Sequence, residues 1–578
     1  MKRRRNLVVM VMGLVLPLAG PAPGRAAEEA PRASGGERPK IGLVLGGGGA
    51  RGGAHIGILK VLEELRVPVD FVVGTSIGSI VGGLYSTGMS PAELENMVSG
   101  TDWGSIFSDK PERRRISFRR KQDDDLALFP FEVGVGKKGL SARAGIISGT
   151  KIDFFFRNLT LEASAITDFN ELHVPFRAVA ADLVTGEPVI LDHGDLTTAM
   201  RASMSIPGVF TPVEIDGRFL VDGGIALNLP VDVARGLGAA RIIAVDVGTP
   251  PKSSAKGLST VGVFNQMISL MGQRNVDEQR ARIGEGDVLI TPELGDIGMA
   301  DFTNIGAAVE AGEAAARQHE AALRSFSVSE QDYRAVLEKQ RHSGAPSVLQ
   351  VPIAAVRVDV LGADGSRQAS DILTRRLDTR PGRPLDKQVL ARDLDSVSQG
   401  GEFESVDFRL LPAGDKRDLL IQARHKSWGP GYLRFGLGVD SNVEGNTQVR
   451  ALVHYRRPEV NEFGAEWRSL LSLGNPAGLD TEFFQPLQRS GFLFVAPWLT
   501  LERERLDFYE SSGDFETVDQ SQGVAGLDFG VLFRNYGEVR LGVLRGRLKL
   551  EPASASTLTA IEPDLGGARL RITLDQID

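Results

Sequence analysis

Two glycine-rich turns, one strand–helix unit apart, constrain the fold of this chain more than any other feature. The first is Gly46-Gly47-Gly48-Gly49-Ala50-Arg51-Gly52-Gly53, directly after the apolar run Ile41–Leu45. It opens a helix whose apolar face is Ala54, Ile58, Val61, Leu62 and Leu65. The second is Gly74-Thr75-Ser76-Ile77-Gly78, after Phe71–Val73 and before Ile77, Ile80, Val81 and Leu84 at helical spacing. Strand, tight turn and helix in repetition build a parallel sheet covered by helices. Phe176–Ala180 and Ile242–Val247 continue the pattern, and 306–341, rich in Ala, Glu, Gln and Arg, reads as closing helices. Residues 38–343 are therefore expected to form an α/β domain with a largely parallel sheet.

Glycines let the first turn bend sharply and leave the N–H groups of a helix N-terminus facing outward, which suits an anion. Gly47-x-Gly49-x-x-Gly52 satisfies a dinucleotide fingerprint, yet the same loop could hold a transient oxyanion. A phosphate-binding P-loop requires a following Lys-Ser or Lys-Thr, and none is present. Dinucleotide binding asks for an acidic residue at the carboxyl end of the next strand. Asp70 precedes Phe71 and so lies at the wrong end; the correct end holds Gly74 to Gly78. Gly-x-Ser-x-Gly between strand and helix is a nucleophile elbow, too tight for anything but glycine beside the serine. Such a serine needs a base, and among seven histidines none stands at a strand end. His55, one turn into the first helix, reads as structural, and His193 as part of a loop. Phe219-Leu220-Val221-Asp222-Gly223-Gly224 offers an aspartate that can reach the same end of the sheet and accept the Ser76 proton. A plain Asp-Gly-Gly turn is the other reading.

Taken in order, these three segments resemble the patatin-like phospholipases, which are marked by G-G-G-x-[RK]-G, G-x-S-x-G and D-G-[AG] and use a Ser–Asp dyad. The resemblance covers residues 40 to 300 and extends to Ala181-Asp182-Leu183-Val184-Thr185-Gly186 and Ala202-Ser203-Met204-Ser205-Ile206-Pro207. Gly46 departs from it, since bacterial members often carry Ser there. It implies Ser76 as nucleophile and Asp222 as base. The backbone around Gly47, Gly48, Gly49 and Gly52 would form the oxyanion hole, supported electrostatically by Arg51. Gly74 and Gly78 would flank the nucleophile, and Gly223 and Gly224 follow the base. The implied substrate is a phospholipid or other lipid ester, with no cofactor; Asp residues do not cluster at metal-ligand spacing. Val261, Phe264, Met267, Ile268 and Met271 read as core or a homodimer seam, with a lipid-entry surface as the rival.

The remainder changes character. Residues 344–350, with Gly-Ala-Pro-Ser at 344–347, read as a linker. Residues 351–424 run strand, helix, helix, strand, strand, a small α+β module. From 428 to 578 alternation dominates, through Tyr432–Leu437, Val449–Tyr455, Trp467–Leu473, Phe492–Thr500, Leu527–Phe533 and Val539–Leu544. Strands of this kind suit an outer-membrane barrel, although a soluble sandwich alternates in the same way. Thr379-Arg380-Pro381-Gly382-Arg383-Pro384-Leu385 and Gly401-Glu402-Phe403-Glu404-Ser405-Val406 resemble a POTRA module. The whole is similar to PlpD-type autotransporters of type V secretion: patatin domain, POTRA, C-terminal antiparallel β-barrel. About eight candidate strands, against about sixteen in such barrels, imply a partial barrel, and an open sheet edge is not tolerated in lipid.

Lys2 to Arg5, the apolar run Leu7–Leu18 and Gly24-Arg25-Ala26 read as a signal peptide over residues 1–26. The expected location is the outer membrane of a Gram-negative bacterium, with the hydrolase exported to the surface, the medium or the periplasm. The absence of cysteine excludes disulfides and thiolate catalysis. A net charge of −8 without a basic stripe argues against nucleic acid. The basic run Arg113–Lys121, answered by Asp123, Asp124 and Asp125, reads as a solvated loop, with a lipid-headgroup contact as the rival. Two other functional classes remain open: a non-catalytic lipid-binding module, and an outer-membrane assembly or transport protein.

Overall fold

The computed structural model describes residues 38–575, apart from 109–112, 114, 115, 127–131, 137, 138, 144, 250–259, 341–347, 363–366, 399, 400, 442–446, 489, 490, 510–514, 534 and 553–558. The signal-peptide segment 1–26 and linker residues 344–347 lie outside the described residues; Val348–Gln350 form a short 3-10 turn.

The first part is an α/β layer structure. Strands Val288–Ile290, Arg241–Val245, Ile41–Leu45, Phe71–Thr75 and Phe176–Asp182 lie side by side in parallel. Arg218–Asp222 then adds antiparallel to Phe176–Asp182, followed by Val213–Ile215; Pro188–Leu191 also pairs with Phe176–Asp182. The central strands are apolar throughout because both faces are covered. Leu43 and Leu45 pack with Ile56, Leu59 and Val309 on one side. Val44, Val73 and Ile242 pack with Leu229, Val231 and Val276 on the other.

The second part has the order strand, helix, helix, strand, strand: Ile353–Leu361, Arg367–Arg376, Lys387–Ser398, Phe403–Ala413 and Lys416–His425. Lys416–His425 is central, parallel to Ile353–Leu361 and antiparallel to Phe403–Ala413. Its core of Val358, Leu390, Val397, Phe408 and Ile421 takes in Leu161 and Phe154 from the α/β part. The two parts therefore share apolar surface rather than hanging from a free linker.

The third part is an antiparallel meander of eight strands from Gly431–Ser441 to Asp564–Leu574. Two of them, Ala477–Pro486 and Asp564–Leu574, escape the sequence pattern. Three others, Leu493–Tyr509, Phe515–Leu532 and Gly537–Pro552, run 16 to 18 residues. The α/β part contributes the hairpin Val133–Gly136 and Gly139–Ala142, which pairs with Gly431–Ser441 and makes a ten-stranded sheet. Among the described residues its outer strands are Asp564–Leu574 and Gly139–Ala142.

One face of this sheet is charged and covered; the other is apolar and exposed. Helix Phe118–Leu126 lies on the charged face. Arg119 donates to Glu466 Oε1 (2.7 and 3.0 Å) and to Glu482 Oε1 (2.9 Å). Asp123 sits 3.4–3.5 Å from Arg468, Arg456 and His454, and Lys121 Nζ donates to the carbonyls of Asn535 and Asp575. Arg119, Lys121 and Asp123 are buried. This corrects the solvated-loop reading at Arg119 and Lys121: both are buried, Arg119 is neutralised by Glu466 and Glu482 on distant strands, and burial selects pairing over hydration.

Candidate functional site

The register of the sheet brings the candidate pair together. Thr75 is paired with Val179, and Asp222 with Ala180 on the same strand. The residue after Thr75 and the residue ending Arg218–Asp222 thus stand at one level, on either side of Phe176–Asp182. Ser76 Oγ donates to Asp222 Oδ2 at 2.6 Å.

The elbow geometry follows from its glycines. Ser76 has φ 55° and ψ −123°, a strained conformation of the kind held only where the surroundings determine it. Gly78 passes so close to Leu45 that an added Cβ would lie 2.1 Å from the Leu45 carbonyl oxygen. Gly74, which opens the turn, packs directly against Gly78. Gly49 has φ +59° and faces the Met299 carbonyl, which accepts the Ala50 N–H at 2.8 Å. Gly52 packs on Ile77, so the first turn is wedged against the second.

The expected oxyanion residues divide into two groups. The Gly47 N–H is engaged by the Asn228 carbonyl at 3.3 Å. Gly48 and Gly49 have N–H groups without a hydrogen-bond partner among the described residues, and both line the cavity beside Ser76. Arg51 is buried and donates to the carbonyls of Val247 and Ile297, each at 2.9 Å. It ties the loop to two neighbouring segments. Gly223 and Gly224 follow Asp222 as expected, and the Gly224 N–H donates to Asp222 Oδ1 at 2.7 Å.

Burial pushes the Asp222 carboxyl up to about 6, against the opposing pull of the Ser76 and Gly224 hydrogen bonds. His55 is wholly buried and linked through Nε2 to the Gly46 carbonyl at 2.8 Å; burial lowers its pKa to about 4. It is a neutral brace for the glycine loop at pH 7. His193 is exposed and pairs with Asp192, and among the described residues no histidine lines the cavity. Among the described residues, no cluster of three or more His, Asp or Glu side chains could hold a metal ion.

Further residues hold the pair: Ser203 and Ser205 stand in the family-like stretch Ala202–Pro207, and Asn228 carries no signal in the sequence. Ser203 Oγ accepts the Ser76 N–H at 2.9 Å and donates to the Val179 carbonyl at 2.6 Å. The Ser205 carbonyl accepts the Asp222 N–H at 2.9 Å. Asn228 braces the Gly47 carbonyl through its side-chain amide.

Beside the pair opens a cavity of about 910 Å³. One wall is apolar, with Trp103, Phe107, Phe156, Phe210 and Phe302; the other carries Asp246 and Arg280, paired at 2.6 Å. Helix Thr260–Arg280 faces the cavity through Ser269, Gly272, Gln273 and Val276. Its opposite side exposes Val263, Met267, Leu270 and Met271, with Met267 57% accessible. Met267 and Met271 are therefore not core in this chain, as one of the sequence readings had them. The side chains of Val261, Phe264 and Ile268 lie outside the described residues.

An α/β layer with a serine elbow at an apolar cavity defines a hydrolase-type site. The family model described as patatin-like phospholipase matches residues 43–235, so this segment is a patatin-like phospholipase domain. A patatin-like phospholipase domain-containing protein of Caenorhabditis elegans is 37% identical over 211 residues, 36% of this chain and 14% of that protein. An uncharacterized NTE family protein of Mycobacterium tuberculosis is 32% identical over 240 residues, 41% of this chain and 58% of that protein. The chain thus spans less than two thirds of these relatives. Among solved structures, BamA from Haemophilus ducreyi lacking POTRA domains 1–3 is similar at 11% identity and a TM-score of 0.27. That likeness covers 38% of this chain and 42% of the other, and is too low to define a fold.

Proposed function

We propose that the chain is a serine lipid acyl hydrolase of phospholipase A or lysophospholipase type, with Ser76 as nucleophile and Asp222 as base. The observation that carries this reading is the 2.6 Å contact between Ser76 Oγ and Asp222 Oδ2 at the wall of an apolar cavity. A carboxyl raised to about 6 is more basic than an exposed aspartate yet ionised at neutral pH. In the first step Asp222 takes the Ser76 proton as Oγ bonds to the ester carbonyl carbon. The free amides of Gly48 and Gly49 hold the developing oxyanion; one such donor contributes roughly 3 kcal/mol. Collapse expels the alcohol, which leaves with the proton from Asp222. Water then attacks the acyl-serine carbonyl carbon and gives a proton to Asp222; the second tetrahedral intermediate collapses, Ser76 Oγ takes that proton back from Asp222, and the fatty acid is released.

The apolar face of the ten-stranded sheet supports an outer-membrane location for the C-terminal part, with residues 351–424 in the place of a POTRA module. Along Leu527-Asp528-Phe529 and Arg540-Leu541 the apolar side chains are exposed and the charged ones buried, the reverse of a soluble sheet. A lipid-binding module without catalysis would not need the Ser76–Asp222 contact.

The test is hydrolysis of a fluorogenic phospholipid by the full chain in detergent micelles, beside Ser76→Ala and Asp222→Asn. Both variants should lose activity by at least about 10³-fold. Activity surviving Ser76→Ala would overturn the mechanism.

A further inference from the structure

The helix Thr150–Leu159 belongs to two cores at once. Ile152 and Phe156 are buried in the α/β core and line the cavity. On its other side Phe154 packs on Phe408 of the small α+β module, with ring centroids 6.2 Å apart. Arg157 completes that contact with a two-pronged pair: Nε to Asp407 Oδ1 and Nη2 to Asp407 Oδ2, both 2.6 Å. Its third nitrogen, Nη1, donates to Asp195 Oδ2 at 2.8 Å. A planar fork engaged at both ends has little freedom to turn.

Asp195 is the N-cap of helix Leu196–Ser203 and accepts the Thr198 N–H at 2.8 Å. Although burial opposes it, Arg157 and Thr198 hold the Asp195 carboxyl down at about 2. Thr160 Oγ1 and Thr197 Oγ1, 2.7 Å apart, fasten the same helix end. The other end of this helix meets the site. Ser203 holds the Ser76 N–H, and the Ser203 and Ser205 carbonyls accept the N–H groups of Gly223 and Asp222. Arg201 fixes Ser205 through Nη1 to Oγ at 2.5 Å and pairs with Asp153 of helix Thr150–Leu159 at 3.0 Å.

We infer that the α+β module is a working part of the hydrolytic site: Asp407, through Arg157 and Asp195, sets the helix whose end positions Ser76 and Asp222. Asp407 and Arg157 are positioning residues; neither touches substrate. The inference rests on the proposed hydrolase reading for its kinetic consequence, but its mechanical content stands apart from activity. Losing the module's carboxylate frees Arg157 to turn, loosens the Asp195 cap, and lets the two catalytic backbones drift. A misplacement of that kind lowers the chemical step more than binding.

The experiment uses the full chain in detergent, with Asp407→Ala, Asp407→Asn, Asp407→Glu and, as a control on the module's exposed hairpin turn, Lys416→Ala. Turnover of a soluble short-chain ester and deuterium exchange of residues 74–80 and 196–206 are read together. The expected result is a kcat about 3- to 30-fold lower for Asp407→Ala and Asp407→Asn, with KM changed less than about twofold. Faster exchange in both segments accompanies it, Asp407→Glu recovers part of both effects, and Lys416→Ala changes neither. Unchanged exchange in both segments in Asp407→Ala and Asp407→Asn overturns the inference, whether or not the chain hydrolyses esters. Faster exchange in a chain that never turns over ester would sink the hydrolase reading and leave the coupling in place.

Discussion

Asp222, the proposed base, is held in a place that costs stability. Its carboxyl is raised from an ordinary 3.8 to about 6 by burial, so the folded chain binds a proton there that the unfolded chain has released. Between those two values stability falls as pH rises, because the native state retains more protons than the unfolded one. Above pH 6 the full penalty is present. Asp222→Asn removes the charge, keeps an acceptor for the Gly224 N–H and can donate its amide to Ser76 Oγ, so it should stabilise the chain by about 1–3 kcal/mol at pH 8 while abolishing turnover. At pH 4 the stabilisation should be nearly gone; thermal midpoints of the two chains across this range check it. Turnover of the natural chain should fall on the acid side with an apparent pKa near 6. A midpoint near 4 would show that the titrating carboxylate is not raised by burial.

Helix Thr260–Arg280 joins the cavity to the outside. Ser269, Gly272, Gln273 and Val276 face inward, and Val263, Met267, Leu270 and Met271 stand together on the opposite surface at spacings of four, three and one. We expect this surface to rest on lipid, since a long-chain ester must leave an aggregate to enter the cavity the same helix lines. Met267→Glu with Leu270→Glu should lower hydrolysis of phospholipid vesicles at least about tenfold, from the lost apolar contact of two side chains. Hydrolysis of a soluble short-chain ester should change little; equal loss on both substrates would point to damage to the cavity instead. Helix Phe118–Leu126 is held differently, by charge. Glu466 accepts from Arg119 and Arg456 and pairs with Arg468 at 2.5 Å, so two buried guanidinium groups and a third, half-buried one share one carboxylate. Glu466→Gln leaves them facing an uncharged amide, and breaking such a buried set costs about 3–5 kcal/mol. The variant should melt earlier and become open to trypsin at Arg119 and Arg120, and added salt should not restore it, since buried pairs are weakly screened.

Across the molecule, what was legible in the sequence is what the backbone must do locally. Turns that only glycine can make bracket Ser76, and they named it; the short run ending at Asp222 did the same, and the two are 2.6 Å apart. Ser203 was quoted only as part of a family-like stretch, because its role is to accept a backbone N–H from a residue 127 positions away. The basic run around Arg119 looks solvated in the sequence for the same reason: its partner Glu466 is 347 residues distant, and only local charges stand beside it there. The alternation after residue 428 marks six of the eight strands but not which face meets water, since period two is blind to the environment of either face. The structure resolves that ambiguity through burial: Arg540, Glu538 and Asp528 are inside, while Leu541, Val543, Leu570 and Ile572 are outside, Leu541 being 62% accessible. An exposed apolar face of this kind, opposite a charged one, is a liability in water. Leu541→Arg on that face should therefore weaken insertion of the full chain into phospholipid vesicles by about 2–4 kcal/mol if the position lies at mid-depth. The same arginine placed at Thr500, which faces Asp480 across paired strands at 2.7 Å, should be tolerated better because it meets a carboxylate. Co-sedimentation with vesicles after refolding separates the cases. Equal recovery of the natural chain and Leu541→Arg would mean that this face meets protein or water rather than lipid.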